Sequence, residues 1–255
     1  MTPSRGTSFI GTAGWALPRA VQESFPGEGP HLARYARVFG ISEINSSFYR
    51  AHARATYERW AAIVPDMFRF CVKLPKAMTH VAKLVGTDAM LDTFFAQVSG
   101  LGQHLGCILV QLPPSLVLEG DVASAFLTSL RERYSGLIAV EPRHESWFTA
   151  PAAALLEHFS AARVAADPAR VAEAARPGGA TELAYWRMHG SPRMYYSSYD
   201  ATALQALAGS MKAAALHARE VWCIFDNTAS GAAAADALAL REHFTDESAT
   251  DARDG

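Results

Sequence analysis

The sequence predicts a single-domain α/β protein, a (β/α)8 TIM-like barrel, on three observations. Short apolar runs recur along the chain, and each is followed by an amphipathic or alanine-rich stretch. The runs are almost continuously apolar, as parallel strands covered on both faces are. Their polar residues gather at the C-terminal ends, where a barrel carries its function.

The first strand is SFIGTAG, 8–14. Its GTAGW end does not match the G-x-G-x-x-G turn of a doubly wound dinucleotide-binding sheet, which disfavours that alternative. A helical stretch near 30–39 leads to ISEINS, 41–46, and another at 54–64 leads to RFCVKL, 69–74. The stretch 88–104 precedes CILVQL, 107–112, and 121–134 precedes LIAVEP, 137–142. The helix at 150–161 is followed by RVAAD, 163–167, with only a weak helical pattern at 168–175 after it. AYWRMH, 184–189, a helix at 203–217, VWCIFD, 221–226, and a helix at 231–243 complete eight units. Residues 1–244 are therefore expected to form the barrel, and TDESATDARDG, 245–255, a solvated, mobile tail.

The 255 residues match the roughly 250 typical of such a barrel. Hydrophobic residues make up 50% and charged residues 19%, enough for a large core. A net charge of −2 argues against a broad polyanion-binding surface, so extended nucleic-acid binding is not expected. Cys71, Cys107 and Cys223 are far apart in apolar runs and read as reduced, packed thiols. The N-terminus lacks the apolar core of a signal peptide and no run is long enough for a membrane span, so a cytoplasmic protein is expected. No cofactor motif is present, none is expected, and the oligomeric state is left open.

The strand ends carry Glu43 and Asn45, Lys73, Gln111, Glu141 and Arg143, Asp167, Arg187 and His189, then Asp226 and Asn227. Because side chains alternate along a strand, Glu43 shares a face with Asn45, Glu141 with Arg143, and Arg187 with His189. Each pair is expected to point into the barrel mouth.

The segments EINSSFYR (43–50), FRFCVKLPKAMTH (68–80), LVQLPPSL (109–116), VEPRHESW (140–147), YWRMHGSP (185–192) and VWCIFDNTASGAA (221–233) resemble, in this order, the family called domain of unknown function 72. The resemblance covers nearly the whole chain and implies a TIM-barrel-like fold, without bringing a reaction with it. Its shared motifs fall here on Asn45, Tyr49, Arg50, Lys73, Gln111, Glu141, Arg143, His144, Trp147, Arg187, His189, Asp226 and Asn227.

Glu141, His144, His189 and Asp226 are the candidate catalytic residues, since carboxylates and imidazoles transfer protons. Asn45, Tyr49, Arg50, Lys73, Gln111, Arg143, Trp147, Arg187, Asn227, Ser230 and Gly231 are the candidate binding residues. A cluster of guanidinium groups favours a small polar or anionic ligand. Alone, each charge reads more simply as half of a structural ion pair, Trp147 as a core cap, and Ser230 as a helix cap. The loop 227–231 is an expected anion anchor within reach of Arg187, because the loop after the last barrel strand often holds phosphate. SPRMYYSSYD, 191–200, reads as a mobile cover, with Tyr195, Tyr196 and Tyr199 offering rings to a sugar or base.

Three functions fit. The first is an enzyme acting by acid-base chemistry, as a hydrolase or isomerase, on a small anionic or sugar-like substrate. The second is a metal-dependent phosphodiesterase or nuclease built on Glu141, His144, Asp167, His189 and Asp226, although no compact metal motif is present. The third is a non-catalytic metabolite binder.

Overall fold

Ten strands form one sheet in the computed structural model, which describes residues 6–250, with side chains through residue 244. They are β1 (Thr7–Ala13), β2 (Ile41–Ile44), β3 (Arg69–Lys73), β4 (Leu105–Gln111), β5 (Leu137–Glu141), β6 (Ala161–Arg163), β7 (Ala165–Asp167), β8 (Gly178–Gly179), β9 (Leu183–Met188) and β10 (Glu220–Phe225). The order β7-β9-β10-β1-β2-β3-β4-β5-β6-β8 is parallel throughout except for the β6–β8 pair. The architecture is the expected TIM-like barrel, nearly closed.

Closure occurs within the predicted sixth strand. That segment divides at Val164: β6 pairs with β5, while β7 pairs with β9. Val164 still donates its N–H to the Val140 carbonyl, at 2.8 Å. One kinked segment thus joins both ends of the sheet, a bend that local sequence periodicity does not report.

The helices α1 (His31–Tyr35), α2 (Arg54–Ala61), α3 (Asp88–Val98), α4 (Gly120–Arg133), α5 (Ala150–His158), α6 (Ala201–Ala214) and α7 (Ala233–Thr250) pack outside. The weak helical pattern at 168–175 becomes only a 3-10 turn, Ala172–Ala175, followed by β8. There Gly179 has φ +67°, and a Cβ would lie 2.4 Å from the Ala161 carbonyl oxygen. Gly179→Ala is expected to lower stability by about 1–3 kcal/mol, read from denaturant unfolding. The final helix runs to Thr250, into the segment expected to be a tail, and residues 251–255 lie outside the described residues.

Strand alternation separates two apolar layers. Ile41, Cys71, Cys107, Leu109, Ala139, Tyr185, Trp222 and Ile224 fill the barrel, whereas Ile44, Val72, Ile108, Val140, Trp186 and Phe225 pack toward the helices. The three cysteines are free and buried, as expected. Two residues further along the interior columns, the filling turns polar: Glu43, Lys73, Gln111, Glu141 and Arg187 are all buried. The fold therefore places one charged layer directly above an apolar plug.

Candidate functional site

Arg187 is the centre of that layer. Its guanidinium donates through Nε and Nη2 to Glu43, at 2.9 and 2.6 Å, through Nη1 to Glu141 at 2.5 Å, and through Nη2 to Asp226 at 3.1 Å. Tyr185, on the same face of β9, donates its hydroxyl to Glu43 at 3.1 Å. Tyr185 was not among the expected site residues; its spacing of two from Arg187 was the available signal.

Glu141 is fully buried and its oxygens are enclosed by donors. Gln111 Nε2 donates to it at 2.9 Å, and Arg143 does so through Nε at 3.1 Å and Nη2 at 2.8 Å. Burial alone would raise the Glu141 pKa, but Arg187, His189 and Arg143 hold it well below the usual carboxylate range. Asp226 is held low in the same way, mainly by Arg187 and the His189 hydrogen bond acting against burial.

His189 lies between the two acids, with Nε2 3.0 Å from Glu141 and Nδ1 3.1 Å from Asp226. Arg143 Nη2 also approaches Nε2, at 3.2 Å. An acceptor and a donor therefore both meet Nε2, so the ring keeps a partner whether or not that nitrogen carries a proton.

A cleft of about 610 Å³ opens above this layer, lined by Asn45, Tyr49, Lys73, Gln111, Arg143 and Asp226, among others. Phe48 and Lys76, not anticipated as contacts, line it too, together with Thr228 and Ala229 of the expected anchor loop. Asn45 donates weakly to Asp226 at 3.4 Å, and its own Oδ1 is buried without a hydrogen-bond partner among the described residues. Lys73 is only 4% exposed. Its ammonium sits 4.1 Å from the Phe48 ring centroid and, among the described residues, makes no hydrogen bond to an oxygen. Burial and, less strongly, Arg187 push its pKa down to about 8, against the opposing pull of Glu43, Glu141 and Asp226. Among the described residues Arg143 Nη1 meets only the Met194 sulfur, at 4.0 Å, leaving donor capacity toward the cleft.

Other expected contacts lie elsewhere. His144 is turned away: its Nδ1 accepts from the Ser146 N–H at 3.2 Å, capping the turn Glu145–Phe148. Trp147 is buried and donates Nε1–H to the Leu116 carbonyl at 3.0 Å, the capping role weighed for it. Trp147→Phe is expected to reduce stability by about 1 kcal/mol in thermal or chemical unfolding, through loss of that bond. Arg50 is exposed and outside the cleft lining; with burial as the larger cause, it helps lower the His52 pKa.

The expected anchor at 227–231 is already occupied by internal bonds. Asn227 Nδ2 donates to the Ser197 carbonyl at 2.9 Å and to Asp236 at 2.6 Å, while Ser230 donates to the Tyr196 carbonyl at 2.6 Å. Gly231 donates its N–H to Thr228 at 3.1 Å, and the Ala229 N–H reaches the Tyr195 carbonyl at 3.0 Å. The donors of Asn227, Ala229 and Ser230 fasten the loop to residues 195–197, Asp236 adds an unfavourable negative charge, and Thr228 and Ala229 are the part of the loop that lines the cleft. The same bonds pin the segment expected to be a mobile cover. Tyr195 and Tyr196 nevertheless line the cleft, while Tyr199 donates to Asp167 at 3.2 Å.

Of the residues offered as metal ligands, His144 and Asp167 are paired elsewhere, while Glu141, His189 and Asp226 meet one another and spend their polar atoms on each other and on the arginines. Where Glu43, Glu141 and Asp226 do converge, the Arg187 guanidinium fills the space between them. No group of three or more His, Cys, Asp or Glu side chains among the described residues is arranged to hold a metal ion.

A family profile described as "Protein of unknown function DUF72" matches residues 9–254. The chain belongs to this DUF72 family. It is 30% identical over 141 residues to the UPF0759 protein YecE of Escherichia coli K12, covering 55% of this chain and 50% of that one. It is 27% identical over 150 residues to the UPF0759 protein YunF of Bacillus subtilis, covering 56% and 53%. These matches span about half the length of those relatives. A solved DUF72 protein from Enterococcus faecalis superposes with a TM-score of 0.79 at 19% identity, covering 94% of this chain and 96% of that one. One from Thermotoga maritima gives 0.77 at 24% identity, covering 94% and 99%. Both structural likenesses establish the DUF72 barrel and leave the chemistry to the residues at its mouth.

The lowered pKa values of Glu141 and Asp226 lead to an expected acid sensitivity of this DUF72 chain. Groups whose folded pKa lies below the unfolded value stabilise the fold above the unfolded value and lose that contribution as pH falls through the folded one. Stability should therefore decline from the ordinary carboxylate range downward, driven by Glu141 and Asp226. Urea midpoints measured from neutral to acidic pH would show it; a flat profile would contradict the network's charge state.

Proposed function

We propose that the barrel mouth binds a small, anionic, oxygen-rich compound and acts on it by acid-base chemistry. Lys73 carries the reading: a nearly buried ammonium facing the cleft, whose described contact is an aromatic ring and not an oxygen. The Lys73 nitrogen opens onto the cleft, where a ligand oxygen can take the place of water as its acceptor. Arg143 Nη1 and Lys76 add positive charge at the rim, and the unpartnered Asn45 Oδ1 accepts from a ligand hydroxyl. Asp226, on the cleft wall and backed by His189, is the proton-transfer pair. Glu141 is too fully bonded for that work and instead orients Arg143 and His189. Three buried thiols accord with a reducing cytoplasm, and among the described residues no helix is long and apolar enough to cross a membrane.

The test is a thermal-shift and calorimetric screen of small carboxylates, phosphate esters and sugar acids. Acids should bind while neutral analogues do not, and Arg143→Lys should weaken binding roughly tenfold or more by misplacing the free donor. Equal binding of charged and neutral analogues would refute the reading. A bound acid then enters turnover assays, which separate an enzyme from a metabolite binder.

A further inference from the structure

We propose that the substrate class is a small anionic carbonyl compound, and that Lys73 condenses with its carbonyl carbon to form a Schiff base. The inference rests on the anion-binding reading above and names its substrate.

Lys73 ends β3 at the mouth, buried yet lining the cleft, with its nitrogen over the Phe48 ring. The neighbouring buried charges behave differently: Arg187 and Glu141 are locked in ion pairs, and Asp226 gives one oxygen to Arg187 and His189 while its other oxygen has only the weak Asn45 contact. A lysine kept for structure would be expected to join them, whereas a nucleophile must keep its lone pair accessible. Burial also favours the neutral amine. Burial and then Arg187 outweigh Glu43, Glu141 and Asp226, which favour the ammonium, and the balance sets its pKa near 8; His80 lies nearby. At neutral pH the uncharged fraction then exceeds that of an ordinary lysine by roughly two orders of magnitude.

The substrate's acid group rests on Arg143 Nη1 and Lys76, presenting its carbonyl carbon to the Lys73 amine. The nitrogen lone pair forms the C–N bond as the carbonyl π pair moves to oxygen. One amine proton passes to that oxygen, and a second proton reaches it from solvent through His189 and Asp226. The oxygen leaves as water, and the protonated imine keeps the remaining amine proton. Atoms and charge balance without an oxidant, reductant or metal.

The full chain is incubated separately with glyoxylate, pyruvate and glyceraldehyde 3-phosphate at neutral pH, reduced with borohydride, and analysed by intact mass and peptide mapping. At least one probe should give a single reduced adduct on the Lys73 peptide, roughly tenfold or more above any exposed lysine, and the adduct should vanish in Lys73→Arg. Peptide mapping of the unmodified chain locates the adduct even if the variant fails to fold. An adduct spread over exposed lysines, or none at all, overturns the inference. The non-carbonyl counterparts glycolate, lactate and glycerol 3-phosphate are tested in parallel by thermal shift. Stabilisation by these without any Lys73 adduct overturns the Schiff base while leaving the anion site standing; neither adduct nor stabilisation overturns both.

Discussion

Arg187→Met is expected to lower the unfolding free energy by about 3–5 kcal/mol, a large part of the roughly 5–15 kcal/mol that holds a domain together. The buried pairs need not stabilise the fold relative to an apolar core, because burying each ion carries a desolvation penalty. Removing only the cation is different: Glu43, Glu141 and Asp226 remain buried around a methionine that offers them no donor. Adding Glu43→Gln should recover part of the loss, since an amide needs no counterion. Denaturant unfolding of the single and double variants measures both effects. A single-variant loss below about 1 kcal/mol would mean that water or local rearrangement solvates the acids.

Lys73→Met is expected to do the opposite, raising stability at neutral pH while removing ligand binding. A pKa lowered from 10.5 to about 8 corresponds to an upper figure of roughly 3 kcal/mol held against the charged amine. Methionine keeps similar length without the charge, so a gain on the order of 1–3 kcal/mol is expected. Lys73 binds fewer protons folded than unfolded between about 8 and 10.5, so it makes stability rise with pH across that window. The rise should be missing in the methionine variant. Chemical unfolding at neutral and alkaline pH tests the gain and the missing slope together. A destabilised variant with an unchanged pH slope would show Lys73 to be a structural residue.

The barrel was legible because its cause is local. Strand alternation is written into consecutive residues, so Cys71 before Lys73 and Ala139 before Glu141 already put apolar filling beneath a charged mouth. The strand-end list likewise gathered Lys73, Gln111, Glu141, Arg143, Arg187, His189 and Asp226 into one layer. Sequence alone thus determined the fold, the polar end of the barrel and most residues found there.

Tertiary structure decided what each of those residues can do. Glu43 and Arg187 meet across 144 positions, and only their meeting shows that the centre of the acids is already filled by a guanidinium. His144, one residue beyond Arg143, turns to cap a helical turn, while Asn227, Ala229 and Ser230 spend donors on residues 195–197. Periodicity says which side a residue faces, but hydrogen-bond satisfaction and desolvation depend on partners brought together from distant strands. Lys73 differs from the other charges in this layer because those partners were taken elsewhere and a phenyl ring was placed beside it.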